Sequence, residues 1–337
     1  MRFFLRSLIV VGGLAAAGAA AADPLDDATD AYGRGDYKTA MQLLQPLAEK
    51  GSALAQYDLG VLYLLGLGAP EDAAEAVKWF RKAAEQGHID SQHNLGILYG
   101  LGRGAARDVA ESLKWYRKAA EWGHIGAQYN LGLIYEQGEG VAKDDAESAK
   151  WRRMAAERGY PPAQNALGYM LEKGQGAPQD FAQAAKWYRL AANKGYSAAQ
   201  HNLGVLYENG KGVEQSEAEA IGWHRKAAEQ GNADSQYSLG TIYGNAKGAP
   251  ESEAESTSWY RKAADQGHAQ AQYMLGAAYA FGRGVQRDDV QALMWFDLAS
   301  AQGDTDARRN RDVVALKMTP AQVAEAERLV KEWKPRK

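Results

Sequence analysis

The sequence contains no cysteine. A disulfide framework and thiol catalysis are therefore excluded, while the absence is compatible with any compartment. Proline is scarce, at nine residues against 37 glycines, and the glycines recur at fixed positions, where they punctuate helices rather than form linkers. Neither sign of charge dominates. The formal net charge is −3, and no segment is strongly basic, which argues against nucleic acid as the main partner. No long apolar run is present either: the uncharged N-terminal stretch from Ser7 to Ala22 has 16 residues, against ~20 needed to span a bilayer. HExxH and His-x3-His spacings, a GxxxxGK[ST] loop and a Ser-x-x-Lys nucleophile motif are all missing. Nothing thus points to a zinc site, a nucleotide loop or a β-lactam-type acyl transfer. With 46% hydrophobic and 24% charged residues, the composition is globular and carries no sign of disorder.

What the sequence has is a repeat. Leu95-Gly96 recurs at Leu59-Gly60, Leu131-Gly132, Leu167-Gly168, Leu203-Gly204, Leu239-Gly240 and Leu275-Gly276, and Trp115 recurs at Trp79, Trp151, Trp187, Trp223, Trp259 and Trp295. Every step is 36 residues. In the unit 88–123, Ile89, Leu95, Leu98 and Tyr99 fall at helical spacing and predict a first helix, A. Gly102-Arg103-Gly104 ends it, because glycine reaches the left-handed conformation of a helix C-terminus without a Cβ clash. Asp108 with Glu111 then predicts a capping box opening a second helix, B, and the pattern recurs as Asp72/Glu75, Asp144/Glu147, Asp180/Gln183, Ser216/Glu219, Ser252/Glu255 and Asp288/Gln291. Small residues, Ser112, Ala119 and Ala120 on helix B and Gly96 on helix A, leave room for Trp115 and for a neighbouring backbone. One hairpin cannot bury its apolar face alone, whereas stacked hairpins bury a continuous core. The Trp column is accordingly expected in that core.

Taken in order, residues 1–22 predict a secretory leader. Arg2 and Arg6 are its positive end, Leu8 to Leu14 its apolar centre, and Ala20-Ala21-Ala22 its cleavage signal before Asp23. Cleavage would leave a chain of charge −5 with no stable membrane insertion and no cysteine to carry lipid. It would place that chain in the periplasm of a Gram-negative cell, or outside it. Residues 23–51 predict a shortened capping hairpin, with Asp36 and Thr39 opening its second helix. Seven full units follow: 52–87, 88–123, 124–159, 160–195, 196–231, 232–267 and 268–303. Pro161-Pro162 opens the fourth, where Leu171 also replaces the recurring tyrosine and Tyr169 lies two positions earlier. In the sixth, Ala246 replaces the first loop glycine. Residues 304–337 predict C-terminal capping helices; the last starts at Thr319-Pro320 and has the apolar stripe Val323, Ala326, Val330 and Trp333.

The pattern A-Q-x-x-L-G-x-x-Y-x-x-G-x-G-x3-D-x3-A-x2-W-x3-A-A-x2-G, met from Ala127 to Gly159 and covering 52–303, resembles the Sel-one-like repeat family of the tetratricopeptide-like superfamily. The resemblance implies an all-α fold, a right-handed α/α superhelical solenoid of seven hairpins, and a role in protein–protein interaction. In tetratricopeptide-like arrays helix A lines the concave face. Alignment on the Leu-Gly pair would put Tyr57, His93, Tyr129, Asn165, His201, Tyr237 and Tyr273 in one inward column. Asp58, Asn94, Asn130, Ala166, Asn202, Ser238 and Met274 would form the next. Aromatic groups with polar tips, and Asn with both donor and acceptor, would suit a peptide. Equally, the aromatic column would pack between neighbouring A helices, as large repeated side chains usually do.

The six histidines do not form a ligand set. His88, His124 and His268 share a turn position in three separate units, and His93 and His201 share another, roughly a repeat apart. No metal or cofactor is expected. The reading is therefore an exported, non-enzymatic scaffold for a protein or peptide partner. The alternatives are a hydrolase acting on cell-wall material or β-lactams, as suggested by cysteine-rich relatives, and a self-associating structural array.

Overall fold

A computed structural model describes residues 24–245 and 250–336, without the side chains of 250 and 251. The expected leader and the sixth hairpin's turn at Ala246 lie outside the described residues. Among these the chain is all helical, and it divides into two units at Gln179.

The first unit holds α1 (Pro24–Gly33), α2 (Tyr37–Glu49), α3 (Ala53–Leu65), α4 (Ala73–Glu85), α5 (Ile89–Leu101), α6 (Val109–Glu121), α7 (Ile125–Gln137), α8 (Asp145–Glu157) and α9 (Pro161–Lys173). The second holds α10 (Phe181–Asn193), α11 (Ser197–Asn209), α12 (Glu217–Glu229), α13 (Ala233–Asn245), α14 (Pro250–Asp265), α15 (Ala269–Phe281), α16 (Asp289–Ala301), α17 (Thr305–Ala315) and α18 (Pro320–Glu332). From α1 to α9 in the first unit and from α10 to α17 in the second, each helix packs on the next in sequence, A against B and B against the following A. The last helix returns to α16, where Trp333 meets Trp295 edge to face and Ala326 is buried.

Five of the recurring tryptophans are buried, and Trp187 and Trp223 are half-buried. Lysines close several of the rings from solvent: the Lys82, Lys226 and Lys262 ammonium groups lie 4.0, 4.0 and 3.7 Å from the ring centres of Trp79, Trp223 and Trp259. The ring that makes the helix A glycine necessary is, however, the residue after the tryptophan. A Cβ on Gly96 would sit 2.6 Å from Tyr116, one on Gly60 2.6 Å from Phe80, and one on Gly276 2.7 Å from Phe296. Where that position carries a nitrogen base instead, helix A supplies an acid: buried Arg152 pairs with Glu136 at 2.5 Å, and the Nε2 of buried His224 lies 3.2 Å from Glu208.

The second loop glycine has a different task. At φ +79°, Gly104 abuts the Ala73 carbonyl at the start of the preceding B helix, so the turn doubles as a contact between hairpins.

The capping boxes expected in the repeats are only half formed. Asp72, Asp108 and Asp144 do accept from the N–H three residues on. Their own N–H groups instead donate to the carbonyls of Tyr63, Tyr99 and Tyr135, at 2.9 to 3.0 Å, which leaves the N3 glutamate nothing to reach back to. Glu75, Glu111 and Glu147 pair with Lys78, Lys114 and Lys150 one turn on. In the sixth hairpin Ser252 lies inside α14, which begins at Pro250, and is no N-cap. A reciprocal box occurs at Thr319 and Gln322.

Two glycine substitutions separate packing from helix propensity. Gly96→Ala gains ~1 kcal/mol of intrinsic helicity but forces a methyl into the Tyr116 ring, an overpacking cost of ~1–3 kcal/mol, so a net loss of stability is expected. Gly222→Ala, in α12 with nothing within 4 Å of its Cβ, is expected to gain up to ~1 kcal/mol. Urea midpoints of opposite sign test this pair; a stabilising Gly96→Ala would show that the ring can move aside.

Candidate functional site

The first expected column is packed between rings. In the first unit Tyr57 stacks on His88, with centroids 4.6 Å apart, and tilts against Phe80. His93 stacks on His124 at 4.1 Å, tilts against Tyr116, and places Nε2 3.4 Å from Asn130 Nδ2. Tyr129 meets Tyr160 edge to face. In the second unit His201 faces His224 and has Nδ1 3.0 Å from Ser235 Oγ. Tyr237 stacks on His268, and Tyr273 packs on Phe296 while its hydroxyl accepts from Asn310. Each aromatic member of the column thus lies against the B-helix ring of its own hairpin, the N-cap ring of the next, or both.

Tyr57, His93, Asn94 and Asn130 are buried and offer no open surface in this arrangement. For these four, packing accounts for the residue. Tyr129, Asn165, His201, Asn202, Tyr237 and Tyr273 are half-buried, each with an edge open to solvent.

The turn histidines are helix caps. His88, His124 and His268 accept at Nδ1 from the backbone N–H of Ser91, Ala127 and Ala271, which assigns the proton to Nε2. That nitrogen points toward a carboxylate of the preceding A helix, 3.4 Å to Asp90 for His124 and 3.4 Å to Asp234 for His268. Burial pushes His93 down to about 3 and, with a smaller contribution from His224, His201 down to about 4. Burial also pushes the Asp58 carboxyl up to about 7, and its Oδ2 is buried without a hydrogen-bond partner. Among the described residues no group of three or more His, Asp or Glu could hold a metal ion.

A second polar column emerges from the glutamine of the repeat's Ala-Gln pair, to which periodicity alone assigns no role. Gln56, Gln92, Gln128, Gln164, Gln200, Gln236 and Gln272 are all buried on helix A. Each donates its Nε2 to an alanine carbonyl near the end of the preceding B helix, at 2.9 to 3.2 Å. In four hairpins a second glutamine, at the C-terminus of helix B, donates to its Oε1: Gln86 to Gln56, Gln230 to Gln200, Gln266 to Gln236 and Gln302 to Gln272, at 2.7 to 2.8 Å. The other three hairpins carry Trp122, Arg158 and Lys194 at that position. There the Oε1 atoms of Gln92, Gln128 and Gln164 are buried with no partner. The signal was present in the sequence as glutamine at four of seven equivalent places, but only the fold puts residues 30 apart in contact.

Trp122 is 74% exposed and borders a cleft of about 670 Å³ with Ile89, Ile125, Asp90 and His124. The large exposed apolar groups on A helices are also ones the repeat pattern does not require: Leu54 at 40%, Leu65 at 41%, Leu101 at 38% and Tyr169 at 44% in the first unit, and Phe281 at 69% in the second.

Comparison with known proteins follows the same periodicity. The Sel1 repeat family model matches residues 30–52, 53–88, 89–124, 125–160, 161–196, 197–232, 233–268 and 269–304, so part of the first capping hairpin is itself read as a repeat. A Sel1 repeat protein of Oxalobacter formigenes is similar, with 32% identity over 91% of this chain and 98% of that one and a TM-score of 0.68. So is c5321, a protective antigen of uropathogenic Escherichia coli strains with an SLR fold, with 32% identity over 90% of this chain and 82% of that one and a TM-score of 0.63. No curated protein matches.

The buried ionisable groups predict opposing pH dependences. For Asp58 the folded value of about 7 exceeds the unfolded ~3.9. Its protonated form therefore contributes stability fully below ~3.9, and this is lost as pH rises through 7. For His93 and His201 the folded values of about 3 and 4 lie below the unfolded ~6.5, so stability is full above ~6.5 and falls as pH drops. Asp58→Asn, which cannot ionise, is expected to raise the urea midpoint relative to wild type more at pH 8 than at pH 5. A pH-independent difference would show that Asp58 does not titrate between those values.

Proposed function

The chain belongs to the Sel1 repeat family, and from that premise we propose that it is an exported, non-enzymatic scaffold that holds a protein or peptide partner on the surfaces of its A helices. Sel1 repeat proteins generally mediate protein–protein interaction. The observation that carries the reading here is the fate of the side chains. Leucine, glycine, tryptophan, alanine and glutamine of the repeat are consumed by packing, whereas Leu65, Leu101 and Tyr169 on α3, α5 and α9 are large, apolar and exposed without any packing role that the repeat demands. Such groups, beside half-open Tyr129 and Asn165, supply the apolar anchors and polar rim from which interfaces are built. In the second unit Phe281, Tyr237, Tyr273, His201 and Asn202 offer the same chemistry.

Family members are typically non-catalytic. In keeping with that, the most strongly perturbed groups, His93 and Asp58, are enclosed by packing rather than gathered in a cleft. Export rests on the leader pattern of residues 1–22 and places the mature chain in the periplasm or outside the cell. Among the described residues no helix is long and apolar enough to cross a membrane.

Two measurements check this reading. Protein purified from the envelope fraction of the native host is expected to begin at Asp23 by intact mass; a chain retaining Met1 would overturn cleavage. In pull-downs from the same extract, Leu101→Ser/Tyr169→Ser is expected to lower partner recovery at least tenfold with far-UV helicity intact. Undiminished recovery would sink the assignment of the partner to these surfaces.

A further inference from the structure

Where the first unit turns from one hairpin to the next, a cleft of about 670 Å³ is walled by Ile89 at the start of α5, Ile125 at the start of α7 and the largely exposed indole of Trp122. Asp90, in the first turn of α5, lines the same cleft with its side chain 33% exposed. The groups beside this carboxylate are imidazoles. His124 presents Nε2 to its Oδ1 at 3.4 Å, and His88 lines the cleft as well. His124 accepts the Ala127 N–H at Nδ1 and His88 accepts the Ser91 N–H, so each ring is neutral with its proton on Nε2. The His124 N–H facing it holds the Asp90 carboxyl below its ordinary value. Among the described residues Asp90 pairs with no lysine or arginine. The cleft thus holds an ionised carboxylate that its neutral neighbours do not offset.

The sign of the cleft follows from that group. Helices α4 and α6 end beside it while α5 and α7 begin there, so the partial charges of the helix ends oppose one another. Of the lining residues only Asp90 carries a formal charge. Just outside, Arg158 donates to the Gly123 carbonyl, and exposed Glu85 and Glu121 end α4 and α6. An anion entering the cleft meets a carboxylate; a cation meets a counter-charge and an aromatic face. Carboxylate, open indole and aliphatic walls together match arginine. Its planar guanidinium pairs with a carboxylate and stacks on an aromatic ring, while its methylene stem covers apolar surface. Lysine, a compact and strongly hydrated charge, uses less of the same surface. The second unit provides an internal comparison. Asp234 and His268 repeat the acid–imidazole pair at 3.4 Å, with Ala233, Ala269 and Gln266 where the cleft has Ile89, Ile125 and Trp122. The pair belongs to the turn; the walls and the indole are added at this cleft.

We propose that the Trp122 cleft binds an arginine side chain of a partner peptide. The guanidinium pairs with Asp90 and lies across Trp122, and the stem lies against Ile89 and Ile125. The cleft is at the N-terminal end of α5 and Leu101 at its C-terminal end. The site is therefore separate from the surface of Leu101 and Tyr169 and stands or falls independently of it.

The test titrates the full chain, with its tryptophan indoles labelled by 15N, with acetyl-Leu-Arg-Leu-amide and follows the indole signals by NMR. The neutral isostere acetyl-Leu-citrulline-Leu-amide and the anionic acetyl-Leu-Glu-Leu-amide are the controls. The arginine probe is expected to shift the Trp122 signal and to bind at least tenfold more tightly than either control, as a charge-assisted hydrogen bond requires. Asp90→Asn is expected to weaken it at least tenfold, and Trp122→Ala, a truncation at an exposed position, a few-fold. Asp234→Asn and Leu101→Ser/Tyr169→Ser are expected to leave it within about twofold, since neither touches the cleft. The proposal is overturned if wild type does not bind the arginine probe, if the citrulline or glutamate peptide binds as well, or if Asp90→Asn or Trp122→Ala, with far-UV helicity intact, binds as wild type does. Equal weakening by Asp234→Asn would overturn it too, by showing a general attraction to surface acids.

Discussion

Everything in this array depends on one buried side chain per hairpin, the glutamine that reaches back from helix A to the end of the preceding helix B. A carboxamide with so little exposure must be satisfied inside the protein. Its donor finds an alanine carbonyl that already accepts a backbone N–H in the turn, Ala84 from Gly87 for example. The bond therefore does more than add its ~1 kcal/mol. It ties polar satisfaction to stacking, since a hairpin separated from its predecessor would bury the glutamine without a partner or expose the apolar faces around it. The alanines make this possible by bringing the backbones close. The second loop glycine secures the same step from the other side, by letting the turn rest on the start of the preceding B helix.

Once stacking is fixed in this way, variation is tolerated where the scaffold does not depend on it, and the variation is chemically patterned. A ring on helix B can become Arg152 or His224 provided helix A carries Glu136 or Glu208. Arg81, Arg117, Arg189, Arg225 and Arg261 each donate to a tyrosine hydroxyl 18 residues on. At the fourth hairpin Leu171 takes that tyrosine's place and the aromatic group moves two positions earlier, to the exposed Tyr169. Likewise, replacing the clasp glutamine by Trp122 trades an internal hydrogen bond for an exposed aromatic group. In both cases the departure from the repeat leaves an aromatic side chain at an accessible position.

Much of the fold was legible in the sequence, and the parts that were not share a cause. Periodicity located the hairpins, the glycine C-caps, the buried tryptophans and the terminal helix that covers α16. Local rules failed where a distant group competed for the same atom. The Asp-x-x-Glu pattern reads as a reciprocal box, but the aspartate N–H is taken by a tyrosine carbonyl across the turn. Gly96 reads as room for Trp115, but the ring it accommodates is Tyr116. For the His93 and Asn94 columns, concave lining and packing between A helices were both open in the sequence, and burial gives Tyr57, His93, Asn94 and Asn130 to packing. A sequence alignment on Leu-Gly gives the facing of a helix, not the size of the side chains that arrive opposite it.

The sequence by itself therefore determined that the chain is a helical repeat, how long each hairpin is, and which residues recur, because helical periodicity and glycine termination are local properties of the backbone. Only the tertiary structure decided which recurring residues are satisfied and which remain open. The bond from Gln92 to Ala84 spans eight residues, the clasp from Gln86 to Gln56 spans 30, and whether either is made depends on how adjacent helices meet. Burial and hydrogen bonding across that contact are collective, so whether the Gln92 carboxamide is fully satisfied is decided only once the helices around it are in place.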